Sequence, residues 1–365
     1  SPRILPPRLS SAGFDRRGPF WKPCRNQDLR SGSRAIPGLS LPPARATPSN
    51  ILRPRLTNRR RTLACQHWER TAEPHGGASK PIHPMLLKAN DVPELPEVQT
   101  VVNDLVTSGL VGRTFTQVLV RWPGSIADVN PETFERRLVG RRVTQLTRRA
   151  KWIVWELDDR GPMLSHLRMT GRFYWSDPLE DFGRHDHVAF SLDDGRQLRY
   201  QDTRKFGRFY LPGNDDLLER LGPEPLSRQF TARLLGRRLG RHRRQLKPLL
   251  LDQFFLAGLG NIYVDEALWD AGLLPTRTSD ALTTEDIRRL HRAIRKVLRR
   301  GLRNMGTTLG TGQTTFYSVA GRRGRNRDQL NVFRRTGAPC PRCRAPIVRL
   351  VVGQRSTHIC PACQR

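Results

Sequence analysis

Pro93-Glu94-Leu95-Pro96-Glu97-Val98 is where this 365-residue chain changes character. Pro96 suits the first turn of a helix, where a missing N–H costs nothing. Val98, Val101, Val102 and Leu105 follow at i, i+3, i+4 and i+7, which predicts one apolar helical face. Glu94 and Glu97 flank the helix start, where the dipole favours negative charge. Upstream, residues 1–92 hold 13 of the 28 prolines, 17 Lys/Arg and only 5 Asp/Glu. Stretches such as Leu41-Pro42-Pro43-Ala44-Arg45 and Arg59-Arg60-Arg61 show no sustained period of 2 or 3.6. Such a segment cannot bury enough apolar surface to offset its ordering entropy. Three readings compete for it: a basic DNA-binding arm, an organelle transit peptide that its proline density suits poorly, or translated upstream sequence. The last is favoured, so 1–92 is expected to be disordered or extraneous.

Downstream the pattern turns to period 2 as far as about residue 212. Val118-Val120-Trp122, Trp152-Val154-Glu156, Val188-Phe190-Leu192 and Leu198-Tyr200 read as strands, with Asp194-Gly195 as a hairpin turn. Residues 93–220 therefore predict a mostly antiparallel β domain with one leading helix. From about 226 the pattern is helical. Ile287, Leu290, Ile294, Val297 and Leu298 form one stripe, started near Thr283/Thr284 and stopped by Gly301. Residues 301–331, rich in Gly, Arg and Thr, read as a long mobile loop closing a second domain over 226–331.

The last region, 332–365, contains Cys340-x2-Cys343-x16-Cys360-x2-Cys363. Four thiolates in two such pairs match one closed, tetrahedral, structural Zn2+ site better than two disulfides. Between the pairs, Gly353-Gln354-Arg355-Ser356-Thr357 reads as a polar hairpin. Its Arg355 faces a polyanion or is a solvated turn residue; the local sequence favours neither. A net charge of +31 and a pI near 11.4 call for a polyanionic partner. Long nucleic acid fits better than a membrane, because no run of 18 apolar residues exists. Four of six cysteines lie in the last 26 residues, which suggests metal and a reducing cytoplasm. The first 20 residues lack the apolar core of a secretory signal.

The stretch at 93–98 resembles the N-terminus of the formamidopyrimidine-DNA glycosylases, which begin Met-Pro-Glu-Leu-Pro-Glu-Val and lose the Met. The similarity continues through Arg148-Arg149-Ala150-Lys151, His166-Leu167-Arg168-Met169-Thr170-Gly171, His185-Asp186-His187 and Asp202-Thr203-Arg204-Lys205-Phe206-Gly207. It runs on through Leu221-Gly222-Pro223-Glu224-Pro225-Leu226, Gly258-Leu259-Gly260-Asn261-Ile262-Tyr263 and the cysteine module, covering 93–365 and none of 1–92. This resemblance implies an α+β fold: an N-terminal β-sandwich with a leading helix, a helix–two-turn–helix domain and a C-terminal zinc hairpin. It also implies a bifunctional DNA glycosylase and AP lyase that removes oxidised purines, such as 8-oxoguanine and formamidopyrimidines, from duplex DNA. The implied setting is base excision repair in a bacterial cytoplasm at the nucleoid, by a monomer with damaged double-stranded DNA and no membrane as partner.

Carried onto this sequence, the family's roles fall on particular residues. The implied nucleophile is the amine of Pro93, with Glu94 handling protons and Glu97 positioning the terminus. Lys151 would donate a proton during β-elimination and contact phosphate, and Arg355 would grip phosphate and serve δ-elimination. Met169, Arg204 and Phe206 would fill the gap left by a flipped base, with Arg204 pairing to the orphaned cytosine. His185, Arg243 and Asn261 align with DNA-contact positions, and Gly258 and Gly260 would let the backbone approach phosphate. His185-x-His187 is a weaker metal-ligand pattern without an evident third partner. Inside the chain, however, the Pro93 nitrogen is a tertiary amide with no nucleophilic lone pair. Val92 stands where the family has its initiator Met, and valine is the literal reading of GTG, a bacterial start codon. The expectation is a protein that begins at codon 92 and matures to Pro93. Residues 310–325 depart from the family's Gly-Lys-Pro-Gly-Tyr-like loop, which leaves base preference open. The alternatives are the related class acting on oxidised pyrimidines and a non-catalytic zinc-dependent DNA-binding protein.

Overall fold

A computed structural model describes residues 93–159, 161–212, 217–310 and 316–365. The expectation for 1–92 lies outside the described residues. Those described fall within one compact unit, Pro81–Arg365.

Helix α1 (Leu95–Thr107) begins one residue before Pro96, with Glu94 as its N-cap. The Glu94 N–H donates to Glu97 Oε2 at 3.0 Å, satisfying a backbone donor that the helix itself leaves unpaired. Its apolar face of Val98, Val101, Val102 and Leu105 is buried in the first core. That core lies between two four-stranded antiparallel sheets. One has the order β1 (Phe115–Val120), β6 (Asp186–Leu192), β7 (Gln197–Asp202), β5 (Gly171–Ser176). The other runs β2 (Val143–Arg149), β3 (Trp152–Leu157), β4 (Met163–His166), β8 (Arg208–Tyr210). Helix α2 (Pro131–Leu138) covers one side and contributes Phe134. Phe209 sits at the centre, its ring 4.9 Å from Tyr200, 5.7 Å from Phe190 and 5.9 Å from Phe134.

Trp122 does not continue β1, contrary to the alternation. The N–H groups of Arg121 and Trp122 both donate to His187 O, at 2.9 and 3.3 Å, and Pro123 has no N–H to extend the ladder.

A second core joins α3 (Ala232–Leu239), α4 (Leu246–Leu251), α5 (Asn261–Ala271) and α6 (Thr284–Arg303). Thr283 caps α6 through the Asp286 N–H at 3.1 Å, but Gly301 does not stop it. A Cβ there would lie 2.5 Å from the Tyr263 hydroxyl, so Gly301 is a close approach rather than a terminator. Nor is 301–331 a featureless loop. Thr307 bridges Arg325, the Gly324 N–H donates to Thr308 Oγ1 at 2.8 Å, and Asn326 Nδ2 donates to Thr307 Oγ1 at 3.0 Å. Thr307, Thr308, Gly324 and Asn326 are buried through polar contacts, which leave no apolar period to read. Residues 311–315 lie outside the described ones. The chain ends in the hairpin β9 (Val348–Val352) and β10 (Arg355–Ile359). The fold is α+β: sandwich with leading helix, helical domain and zinc hairpin. Among the described residues no helix is long and apolar enough to cross a membrane.

Candidate active site and nucleic-acid face

Pro93 is buried at the junction of the two cores, and the backbone after it is fixed by Leu95 N–H donating to Gly258 O at 3.0 Å. The Glu94 carboxylate reaches across to the N-terminus of α5. Its Oε2 accepts from the Gly260 N–H at 2.6 Å and its Oε1 from the Ile262 N–H at 2.8 Å. Free helix N–H groups and the positive end of the dipole favour a carboxylate there. Burial opposes this and pushes the Glu94 pKa up to about 8, against the pull of Lys151 and the backbone donors. Both glycines serve this packing. A Cβ on Gly258 would meet Leu95 at 2.7 Å, and one on Gly260 would meet Glu94 at 2.3 Å.

Glu97 is buried as well. It accepts from the Tyr263 hydroxyl at 2.9 Å and the Thr307 N–H at 2.6 Å, besides the Glu94 N–H. One carboxylate thus joins α1, α5 and the segment after α6. Burial raises its pKa, and burial followed by the nearby Glu97 charge keeps the Tyr263 phenol well above its usual range, as a neutral donor.

Lys151 lies in the tight β2–β3 turn, next to Ala150 with φ +54°. Burial lowers its pKa, Glu94 and Glu97 oppose that shift, and Arg355 and Arg168 reinforce it. The structure therefore brings Glu94, Lys151 and Arg355 into one electrostatic neighbourhood. Glu224, in the linker between the cores, holds the turn itself. It accepts from the Ala150 N–H at 2.5 Å and from both Arg148 NH groups, at 3.0 and 2.8 Å. His166 lies next to Lys151 in this field. Its Nδ1 accepts from the Arg168 N–H at 3.0 Å, and burial, followed by Arg168 and Lys151, keeps its pKa well below 6.5.

Met169, Arg204 and Phe206 sit on two neighbouring turns, β4–β5 and β7–β8. Phe206 is exposed at 44%, Met169 is half-buried, and the Arg204 guanidinium lies over the Phe206 ring at 4.8 Å. Buried Asp202 braces both turns. It accepts from Thr170 Oγ1, from the Arg204 N–H at 3.1 Å and from the N–H groups of Phe206 and Gly207 at 2.9 and 2.7 Å. His185 borders this group, its carbonyl taking the Asp202 N–H at 3.0 Å. The His187 ring is engaged by Asp202 O at 2.8 Å, and the described residues assemble no metal group around the two histidines.

Asn261 Nδ2 donates to Ser356 O at 3.1 Å, tying α5 to the hairpin. The fully buried Lys247 bonds Asp265 Oδ1 at 2.5 Å and the same Ser356 carbonyl at 2.9 Å, while the His358 N–H donates to Asp265 Oδ2 at 2.9 Å. A Cβ on Gly353 would meet Pro248 at 2.7 Å, so the hairpin tip seats on α4. Arg355 opens β10 with its side chain exposed. Arg243 stands apart, 88% exposed and 3.5 Å from Asp280.

Cys340, Cys343, Cys360 and Cys363 bring their sulfurs within 4.8 Å of one another. The Cys343–Cys360 and Cys340–Cys363 separations are 3.4 and 3.9 Å. Four Zn–S bonds of about 2.3 Å at tetrahedral angles need S–S edges of about 3.8 Å, so the set fits a zinc ion with no ligand position left open. Trp269 Nε1–H points at Cys340 Sγ at 3.4 Å, the kind of outer hydrogen bond that steadies a thiolate ligand.

Asp202, Glu224, Tyr263, Thr307 and the Lys247–Asp265 pair were not singled out in the sequence for these roles. Their signal is spatial, since each bridges segments far apart in the chain.

The chain matches the formamidopyrimidine-DNA glycosylase N-terminal domain over 92–209 and its H2TH domain over 221–313. It also matches the zinc finger found in FPG and IleRS over 337–365. It is 43% identical over 275 residues to the formamidopyrimidine-DNA glycosylase of Protochlamydia amoebophila, covering 75% of this chain and 100% of the relative. It is 45% identical over 277 residues to that of Herpetosiphon aurantiacus, with the same coverage. A Lactococcus lactis FPG mutant solved with Fapy-dG-containing DNA superposes with a TM-score of 0.69 at 33% identity, over 75% of this chain and 100% of that one. A MutM complex with carbocyclic 8-oxo-G DNA gives a TM-score of 0.68 at 33% identity, with the same coverage. Three domain matches in order and two full-length relatives above 40% identity place this chain in the formamidopyrimidine-DNA glycosylase family.

Proposed function

We propose that the chain is a DNA glycosylase and AP lyase acting on oxidised purines in duplex DNA, in base excision repair, and that its active species begins at Pro93. One observation carries this reading: Glu94, adjacent to Pro93, is buried against the N-terminus of α5 with Lys151 in its field. A secondary amine at Pro93 would attack the sugar C1′. The C1′–N bond to the damaged base breaks and the base leaves with a proton from Glu94; the Glu94 carboxylate then takes the amine proton and passes it to O4′ as the C1′–O4′ bond opens, so that an iminium links protein and sugar. Loss of a C2′ proton then expels the 3′ phosphate, with Lys151 as proton donor, and Arg355 assists departure of the 5′ phosphate. With a pKa near 8, Glu94 can both give and take a proton close to neutrality.

Exposed Phe206, with the half-buried Arg204 and Met169, would occupy the gap left by the flipped nucleotide. His185, Arg243 and Asn261 would hold flanking backbone, Asn261 through the hairpin it anchors. A zinc ion in the cysteine site would supply no chemistry; it fixes the hairpin that carries Arg355. Residues 93–220, 226–331 and 332–365 would act as catalytic, DNA-binding and zinc modules.

Borohydride trapping on an 8-oxoguanine duplex tests the proposal. A chain starting at Pro93 should give a covalent adduct, and the chain retaining the Val92–Pro93 bond should give none. An adduct lost on changing Lys151 but indifferent to Pro93 would remove the proposed nucleophile. Preference for an oxidised pyrimidine duplex would move the protein to the neighbouring substrate class.

A further inference from the structure

Helix α6 carries a row of cations that the proposed chemistry leaves unused. Arg288, Arg292, Lys296, Arg299 and Arg303 are all exposed and recur at steps of four, four, three and four, so they share one helical face. The opposite face, with Leu290, Ala293, Ile294, Val297 and Leu298, is buried in the core that also contains Tyr263, Val264 and Leu268 of α5. Glu94 caps α5, so the cationic row looks away from the helix that organises the active site. Among the described residues two acidic side chains answer it. Glu285 is shared by Arg288 at 3.8 Å and Arg292 at 3.0 Å, and Asp270 takes Lys296 at 2.7 Å. Among the described residues, Arg299 and Arg303 have no carboxylate partner. The neighbouring α3 adds exposed Arg233 and Arg237, equally unpaired among the described residues.

Such a row repels itself, and a partner of opposite sign relieves that cost. Its shape selects the partner. Fifteen helical steps at about 1.5 Å give a straight row of about 22 Å. A single phosphate or a nucleotide would meet one or two of these cations. A duplex, with its charge repeated every 3.4 Å or so along each strand, can meet the row along its length. Arginine forks, four of the five positions, suit phosphate oxygens.

We propose that the exposed face of α6 is a second duplex-DNA site, so that one molecule holds a second DNA segment while the first occupies the cleft. This rests on the reading that the cleft takes DNA.

The test uses the full chain, saturated with a short 8-oxoguanine duplex and titrated with a labelled undamaged duplex. Fluorescence anisotropy reads the second affinity, and analytical ultracentrifugation reads stoichiometry. One protein to two duplexes is expected. Arg292→Gln, Arg299→Gln and Arg303→Gln together should leave the first affinity and the melting temperature unchanged. The log–log salt slope of the second binding should fall by about 2.7, so the variant loses about 40-fold less affinity than the parent between 50 and 200 mM salt. Because both proteins carry residues 1–92, any binding by that segment cancels in the comparison. A single-duplex stoichiometry, equal second binding by the variant, or capture of poly-glutamate in place of duplex would each overturn the proposal. Failure of borohydride trapping by the chain starting at Pro93, with the stoichiometry of the full chain intact, would strike the enzymatic reading alone.

Discussion

Glu94 is held between opposed forces. Two backbone N–H groups and the α5 dipole stabilise its anion, while burial stabilises its protonated form, leaving a pKa of about 8. Base release in the proposed mechanism needs Glu94 protonated, a fraction that falls as pH rises through about 8. It also needs the Pro93 amine unprotonated, a fraction that rises through the ordinary α-amino range of about 7.7–8.0. Single-turnover base release by the chain starting at Pro93 should therefore peak near pH 8 and decline on both sides. A rate still climbing at pH 10 would show that Glu94 is not the donor. The residue types at 93–97 were legible because a proline beside paired carboxylates at a helix start is a local pattern. The pKa was not legible, because it depends on Gly260 and Ile262, more than 160 positions away.

At the scale of elements, the hairpin owes its place to two supports. The four cysteines bind its base, and Lys247, Asp265 and Asn261 grip it through Ser356 O and His358 N–H. The cluster beneath it, Trp269, Val332 and Ile347 with the cysteines, is small and separate from the sandwich core. Chelating the metal should therefore release the hairpin and Arg355 while the sandwich still melts cooperatively. Duplex affinity should drop about ten-fold or more as hairpin phosphate contacts are lost. Indole fluorescence should report the change through Trp269, whose N–H faces Cys340. Unaltered affinity after metal loss, verified by elemental analysis, would contradict this. The cysteine spacing announced the module. The Lys247–Asp265 pair did not announce itself, since a lysine and an aspartate 18 residues apart become partners only once α4 and α5 pack.

Over the whole molecule, the sandwich and the helical core meet through polar contacts. Glu97 spans α1, α5 and Thr307, Asp104 ties α1 to Ala320 and Arg322, and Glu224 latches the linker to the turn that carries Lys151. Glu224 lies 20% exposed opposite an Arg148 that is 9% exposed. Glu224→Ala should cost about 2–3 kcal/mol, somewhat less than a fully buried pair because water reaches one side. It should slow strand cleavage more than it weakens duplex binding, because the displaced turn carries Lys151. Calorimetry with parallel cleavage and binding assays measures both, and equal losses in the two would assign Glu224 to stability alone.

The sequence by itself determined the succession of β and helical domains and the zinc module, through local periodicity, turn chemistry and fixed spacings, and the family through motifs that resemble it in order along the chain. Tertiary structure decided how the pieces act together. Gly301 reads as a helix stop in the chain and Gly260 as room for a phosphate, yet in space they make room for the Tyr263 hydroxyl and the Glu94 carboxylate. Buried hydrogen bonds between distant segments built the Glu94, Asp202 and Glu224 supports, and such bonds impose no period on the sequence that could be read beforehand.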